Sequence, residues 1–112
     1  MYHCHLDVHP PSTEPPKWRW HQDGSRQNVE LESPRPRVSV KVAWFLTDVF
    51  AEDMGPLWVI PGSHRSDKLE RPLDGSLTPP GGRPLLVPAG TAVVFDRRLW
   101  HAHGDNTSQM MR

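Results

Sequence analysis

The clearest pattern in the chain is a period-two alternation of side chains over residues 38–46, which predicts a β-strand. One side of this strand carries the large apolar residues, namely Val38, Val40, Val42, Trp44 and Leu46. The other side carries Ser39, Lys41, Ala43 and Phe45. Lys41 is unusual, because a charged side chain in mid-strand needs a polar contact or must extend its head toward water.

Similar patterns predict further short strands. Residues 1–9 alternate between an apolar set and a polar set, and residues 57–60, 85–87 and 91–95 are short apolar runs bounded by turn formers. A last strand is predicted to begin at Ser108, whereas residues 62–84 form a long hydrophilic loop of the kind that is usually functional. No segment has a sustained helical period. We therefore expect an all-β sandwich or barrel, and a jelly-roll-like double sheet of about eight strands fits the length.

Composition narrows the class of protein. The chain has 112 residues, enough for one domain, and its 13 prolines disfavour long helices. Its 13 basic and 13 acidic residues give no net charge, which argues against a nucleic-acid partner. One cysteine, no secretory signal and no long apolar run indicate a cytoplasmic protein without a membrane partner. The chain stops on residues 109–112 as if inside an element, and we therefore expect a fragment or a shortened gene product.

The candidate chemistry starts with His21 and Asp23, which lie two residues apart and, on an extended chain, point the same way. Both can reach one metal ion, and His101 is the best candidate for a third ligand, with His103 as its competitor. Two histidines and one carboxylate form the facial triad of non-haem Fe(II) oxygenases. The alternative is that His21 and Asp23 lie on a solvated strand edge and bind no metal. His5-Leu6-Asp7 has the same spacing, so this pattern can occur by chance. Likewise, His3, His5, Asp7 and His9 form either a second metal site or, as we expect, a polar stripe.

Several sequence blocks extend this pattern along nearly the whole chain. They are residues 20–24 (WHQDG), the strand 38–46, residues 53–64 (DMGPLWVIPGSH), residues 88–91 (PAGT), Phe95, residues 99–108 (LWHAHGDNTS) and Arg112. In this order and spacing they resemble the phytanoyl-CoA dioxygenase family of Fe(II)- and 2-oxoglutarate-dependent oxygenases.

The resemblance implies a fold and a set of roles. The fold would be a cupin-like double-stranded β-helix, a single core over residues 1–112 that lacks most flanking helices and is truncated at both ends. His21, Asp23 and His101 match the iron ligands and catalytic centre. Arg112 matches the arginine that pairs with the distal carboxylate of 2-oxoglutarate. Trp44 and Ser108 match positions near that co-substrate.

The implied reaction uses Fe(II), 2-oxoglutarate and O2 to hydroxylate an aliphatic C–H bond of a small organic substrate, with release of succinate and CO2. An aspartate at position 23 favours hydroxylation over halogenation. His103 stands where family members commonly have a small residue. Two alternatives remain: a catalytically inactive fold remnant that acts as an interaction module, and a cupin-like metal-binding module. A sheet without its covering helices would also favour self-association.

Overall fold

The regular structure is made of short strands. The computed structural model describes residues 4–23 and 40–112. The strands are β1 (Val40–Trp44), β2 (Leu57–Val59), β3 (Arg83–Leu85), β4 (Ala92–Asp96) and β5 (His101–His103), and one 3-10 turn spans Ser63–Arg65. No α-helix occurs within these two described ranges, and the prediction of an all-β fold is confirmed.

The strands form two antiparallel sheets. One pairs β1 with β4, and the other has the order β3-β2-β5. The buried core lies between the sheets and consists of Phe45, Val49, Leu57 and Val59, with partly buried apolar residues from β1, β3 and β4 packed against it. Two packed antiparallel sheets around one core are the architecture of a double-stranded β-helix, or jelly roll.

Strand β1 confirms the predicted alternation and shows which side faces the core. Ala43 and Phe45 belong to the core, and Lys41 lies on the same side of the strand. Val42 and Trp44 lie on the outer side, where they are 57% and 68% exposed. The apolar-rich side of the strand is therefore the outer one within the described part of the molecule.

The other predicted strands agree to different degrees. The runs 57–60 and 91–95 match β2 and β4 closely. The strand predicted at 85–87 begins two residues earlier in the sequence, as β3, and Val87 makes only an isolated bridge to Val49. Residues 4–9 and 108–112 form no strand, so both predictions were wrong there. Instead, His9 and Arg112 exchange two backbone hydrogen bonds of 2.6 and 3.1 Å. Residues 1–3 and 24–39, including Val38, Ser39 and Gly24, lie outside the described residues.

Candidate metal centre

Backbone pairing places His21 directly opposite His101. The N–H of each residue donates to the carbonyl of the other, at 3.0 and 3.1 Å, and this bridge adds residue 21 to the free edge of β5. Two residues that exchange both hydrogen bonds in an antiparallel pair present their side chains on the same face. The imidazole rings accordingly lie 4.3 Å apart between centroids.

Each imidazole is oriented by a backbone carbonyl two residues earlier. His21 Nδ1 lies 2.8 Å from the Arg19 carbonyl, and His101 Nδ1 lies 2.8 Å from the Leu99 carbonyl. A carbonyl only accepts, so Nδ1 carries a proton in both rings, and in the neutral form of each ring Nε2 is the nitrogen with a free lone pair. This is the arrangement by which proteins fix the ring orientation of a metal-binding histidine. Both Nε2 atoms are therefore available as ligands.

Asp23 completes the set from the same segment as His21. Its N–H donates to the Arg97 carbonyl at 3.1 Å, which keeps the chain extended beside the turn before β5. Asp23 Oδ1 lies 3.6 Å from His21 Nε2, and Oδ2 lies 3.5 Å from His101 Nε2. One ligand atom from each of the three residues lies within 4.8 Å of the others. Among the described residues, these are the three side chains whose ligand atoms lie close enough together to hold one metal ion.

The middle residue of this motif, Gln22, holds the segment in place. Its side chain is buried and points away from the triad, and its amide Nε2 donates to the carbonyls of Ser66 and Arg98 at 2.9 and 2.5 Å. Trp20 is also buried, and its Nε1 donates to the Leu77 carbonyl at 2.8 Å. The loop that precedes β3, which contains Ser66 and Leu77, is thereby anchored to the strand edge that carries His21 and Asp23.

The electrostatics of the triad favour an ionised Asp23. Burial alone would raise the pKa of Asp23, but the His21 imidazole and the Lys41 ammonium outweigh burial and hold this pKa well below its usual range. The contact with Asp23 raises the pKa of His21, whereas burial lowers the pKa of His101. His101 is only 2% exposed, and such burial favours the neutral imidazole, which is the form that coordinates a cation.

Asp23 Oδ2 is the atom that best fits a bound cation. It is buried and accepts no well-directed hydrogen bond, although Lys41 Nζ lies 2.8 Å away as an ion pair. A buried carboxylate oxygen is costly unless a cation compensates it, so Oδ2 has the chemistry of a cation site, and in this structure the Lys41 ammonium is the cation beside it. Together with two Nε2 lone pairs, Oδ2 provides a two-histidine, one-carboxylate donor set that suits a first-row divalent metal such as iron.

The structure brings Ser108 and Arg112 together in a different place. Both line a cleft of about 370 Å³ together with Met54 and Met110, and His21, Asp23 and His101 do not line it. The Ser108 hydroxyl donates to Asn106 Oδ1 at 2.7 Å, and burial lowers the pKa of Arg112. The predicted contacts of Ser108 and Arg112 with a co-substrate remain predictions.

Trp44 lies on the outer side of β1, opposite to the side that carries Lys41 and Phe45. Successive side chains of a strand point to opposite faces, so a residue three positions after Lys41 cannot share its face. The structure does not bring the Trp44 indole to the triad. Its predicted place near the co-substrate stays a prediction.

His103 and the N-terminal histidines form a separate group. The His9 and His103 rings lie 5.0 Å apart, and burial, followed by the charge of His9, lowers the pKa of His103 to about 4. His5 Nε2 lies 3.1 Å from an Asp7 carboxylate oxygen on the exposed surface. His3 lies outside the described residues. In the part of the chain that the structure describes, these side chains do not bring three ligand atoms close enough together to form a metal site.

The sequence indicated that Lys41 needs a polar contact and that Phe95 matches the family, but it did not predict that both lie beside the triad. Lys41 pairs with Phe95 in the β1–β4 register, and its Nζ lies 5.8 Å from the centre of the Phe95 ring. Phe95 in turn makes an edge contact with His101 at 5.2 Å between ring centroids. The available signal was the alternation of β1, which puts Lys41 on the same side as Phe45.

The fold and this site together define a class. A jelly roll whose interior edge presents two histidines and one aspartate to a common point has the ligand set of mononuclear non-haem oxygenases. The whole chain, residues 1–112, matches the family described as phytanoyl-CoA dioxygenase (PhyH). The chain belongs to this family, and the resemblance identified from its sequence blocks is confirmed.

Individual relatives agree with this assignment. The L-proline trans-4-hydroxylase of Streptomyces griseoviridis is 34% identical over 122 aligned residues, covering 85% of this chain and 45% of the relative. Dioxygenase af480 of Aspergillus fumigatus is 37% identical over 90 residues, covering 76% of this chain and 27% of the relative. The crystal structure of AviO1 from Streptomyces viridochromogenes Tue57 has a TM-score of 0.60 and 25% identity, covering 94% of this chain and 43% of that chain.

The chain thus spans less than half the length of each of these relatives. Among the described residues, no helix has the length and apolar character needed to cross a lipid bilayer.

Proposed function

We propose that the chain carries the active site of an Fe(II)- and 2-oxoglutarate-dependent oxygenase. It would hydroxylate an aliphatic C–H bond of a small organic substrate, with succinate and CO2 as further products. The observation that carries the proposal is the convergence of ligand atoms from His21, Asp23 and His101 within 4.8 Å. Iron held there would supply the oxygen-activating redox chemistry, and the protein would supply binding and orientation.

The three side chains have distinct tasks in this proposal. His21 and His101 hold the ion with Nε2 atoms whose direction is fixed by the carbonyls of Arg19 and Leu99. Asp23 contributes the negative charge that a divalent cation requires. A carboxylate at this position supports hydroxylation rather than halogenation, because it occupies the place where a halide would bind. Three protein ligands leave coordination positions for a co-substrate and O2.

The substrate class rests on similarity alone. The relative named L-proline trans-4-hydroxylase acts, by its name, on a small amino acid at a saturated carbon. The loop that precedes β3 lies beside the site, because Gln22 and Trp20 bind its backbone, and we infer that this loop borders the substrate entrance.

One observation favours a second candidate function. Ser108 and Arg112 line a cleft that His21, Asp23 and His101 do not line. If this separation persists when the triad is loaded, the chain would bind a metal ion without using 2-oxoglutarate. It would then be a cupin-like metal-binding module.

The test is a titration of the chain with Fe(II) and 2-oxoglutarate under argon, followed by admission of air. The proposal predicts a weak visible charge-transfer band before air is admitted and succinate formation afterwards. Asp23→Ala should abolish both signals, because it removes the only anionic ligand of the triad. Asp74→Ala is the matched control, since Asp74 lies on an exposed loop and accepts a hydrogen bond from the Ser76 N–H.

The outcomes separate the candidates. A band and succinate in the wild type and in Asp74→Ala, but not in Asp23→Ala, support the oxygenase. Metal binding without the band, in a chain that is folded by circular dichroism, supports the metal-binding module. Turnover by Asp23→Ala at the wild-type rate refutes the ligand assignment.

A further inference from the structure

The ammonium group of Lys41 sits directly on the carboxylate of the triad. Lys41 Nζ lies 2.8 Å from Asp23 Oδ2, the oxygen that also faces His101 Nε2 at 3.5 Å. The Lys41 side chain comes from the inner side of β1, and its ammonium lies 5.8 Å from the centre of the Phe95 ring. It is therefore held by contacts with two different elements rather than projecting freely into water.

A count of charges shows what this contact does to a bound cation. Two neutral imidazoles, one carboxylate and one ammonium sum to zero, so a divalent ion would leave a net charge of two. If Asp23 Oδ1 binds the ion, the Lys41 ammonium lies on the other oxygen of the same small carboxylate, and if Oδ2 binds it, the ammonium lies against that same oxygen. Like charges this close repel strongly in a partly buried site, where the effective dielectric constant is far below that of water.

We propose that Lys41 is a resident counter-ion of Asp23 that weakens metal binding by the triad and couples it to the binding of a carboxylate anion. The inference rests on the proposed function, because it takes the triad as a metal site. An anion with two carboxylates restores the charge balance that the metal disturbs. The ammonium has three donors and no acceptor, so once Asp23 binds the metal it can donate to a carboxylate that joins the ion.

A purely structural role for Lys41 makes different predictions. In that case the Lys41–Asp23 pair would only join β1 to the segment of residues 21–23. Removing the ammonium would then lower stability and loosen the ligand set, and metal affinity would stay the same or fall. The sign of the change in metal affinity therefore distinguishes the two roles.

The experiment measures Mn(II) binding by the disappearance of the free-ion electron paramagnetic resonance signal. Mn(II) is a divalent first-row ion that suits carboxylate and water ligands. The proteins are the full chain, stripped with a chelator, and its variants Lys41→Met, Lys41→Gln and Lys41→Arg. Lys17→Met is the matched control, because Lys17 also forms an ion pair of 2.8 Å, with Glu14 on the exposed surface. Each protein is titrated with and without 2-oxoglutarate, in the absence of oxygen.

The proposal predicts that Lys41→Met and Lys41→Gln bind Mn(II) roughly tenfold more tightly than the wild type, equivalent to about 1.4 kcal/mol. Lys41→Arg, which keeps the charge, and Lys17→Met should match the wild type. Addition of 2-oxoglutarate should tighten Mn(II) binding at least about fivefold more in the wild type than in Lys41→Met, a typical coupling between two ligands.

Each other outcome has a defined meaning. Equal or weaker Mn(II) binding by the neutral variants overturns the role of Lys41 and leaves the proposed function intact. Equal enhancement by 2-oxoglutarate in the wild type and in the neutral variants overturns the coupling. If Lys41→Met does not fold, the comparison of Lys41→Gln with Lys41→Arg decides the question in the same way. Failure of every protein, including the wild type, to bind Mn(II) contradicts the proposed function itself.

Discussion

Substitution of Gly55 by alanine should displace the chain segment that follows β5. Gly55 has φ of 66°, in the left-handed region, and packs against this segment just before β2. An added Cβ would lie 2.9 Å from the Gly104 carbonyl oxygen and 3.0 Å from the Asn106 nitrogen. Both are backbone atoms, which cannot rotate away as the end of a flexible side chain can.

The magnitude has two parts that a second glycine separates. A left-handed conformation costs an L-residue about 1–2 kcal/mol. Substitution of Gly62, with φ of 81°, by alanine should cost only this amount, because nothing lies within 4 Å of the added Cβ. At position 55, overpacking adds about 1–3 kcal/mol. We therefore expect a loss of about 2–5 kcal/mol for Gly55→Ala and about 1–2 kcal/mol for Gly62→Ala.

The assay is urea unfolding of the wild type and both variants, followed by tryptophan fluorescence and analysed at equal slope. The contact with Gly104 and Asn106 also links this turn to the end of β5, so Gly55→Ala should weaken metal binding by His101 as well. If Gly55→Ala is no less stable than Gly62→Ala, the close approach of these two backbone segments is refuted.

Two further changes test other parts of the structure. Burial and then the nearby Arg112 lower the pKa of His9 below 6.5, so the unfolded chain takes up a proton more readily than the folded one. Stability should therefore fall as the pH drops below about 6.5, and His9→Gln should make this fall shallower in urea unfolding at several pH values; an unchanged slope would contradict the assignment. Val42→Lys places a charge on the exposed outer side of β1 and should reduce self-association in sedimentation velocity, with a stability change within about 0.5 kcal/mol. Leu73→Lys, on a fully exposed loop, should leave self-association unchanged, and equal effects of the two variants would refute self-association through the outer side of β1.

The sequence was sufficient to predict an all-β fold and the position of β1, but not the inner side of that strand. A hydrophobic pattern places Val42 and Trp44 in the core, yet both are exposed and Lys41 faces inward. The reason is a long-range contact, since the carboxylate that compensates the Lys41 ammonium comes from Asp23, in a separate segment. The alternation of side chains shows that the two sides of a strand differ, but it does not show which side packs against the core.

Residues 4–9 show that an alternating pattern can also predict a strand that does not form. Their alternation predicts a strand, but a strand also needs a partner along its length. Among the described residues, backbone hydrogen bonds pair this segment only at its end, where His9 meets Arg112. Local pattern alone could not reveal that the neighbouring chain is irregular.

The triad itself was within reach of the sequence, because the spacing of His21 and Asp23 and the family blocks around His101 both pointed to it. The orientation of the rings was not, since it depends on the carbonyls of Arg19 and Leu99. Backbone carbonyls have no sequence signature. The same holds for the Gln22 amide, whose two acceptors are backbone atoms of distant segments.

The most direct test of the metal centre is anomalous diffraction from crystals of the chain grown with Mn(II). We expect one strong peak bound by His21 Nε2, His101 Nε2 and a carboxylate oxygen of Asp23. A peak that lacks any of these three ligands, or that lies among His5, Asp7 and His9 instead, would contradict the site on which the proposed oxygenase activity depends.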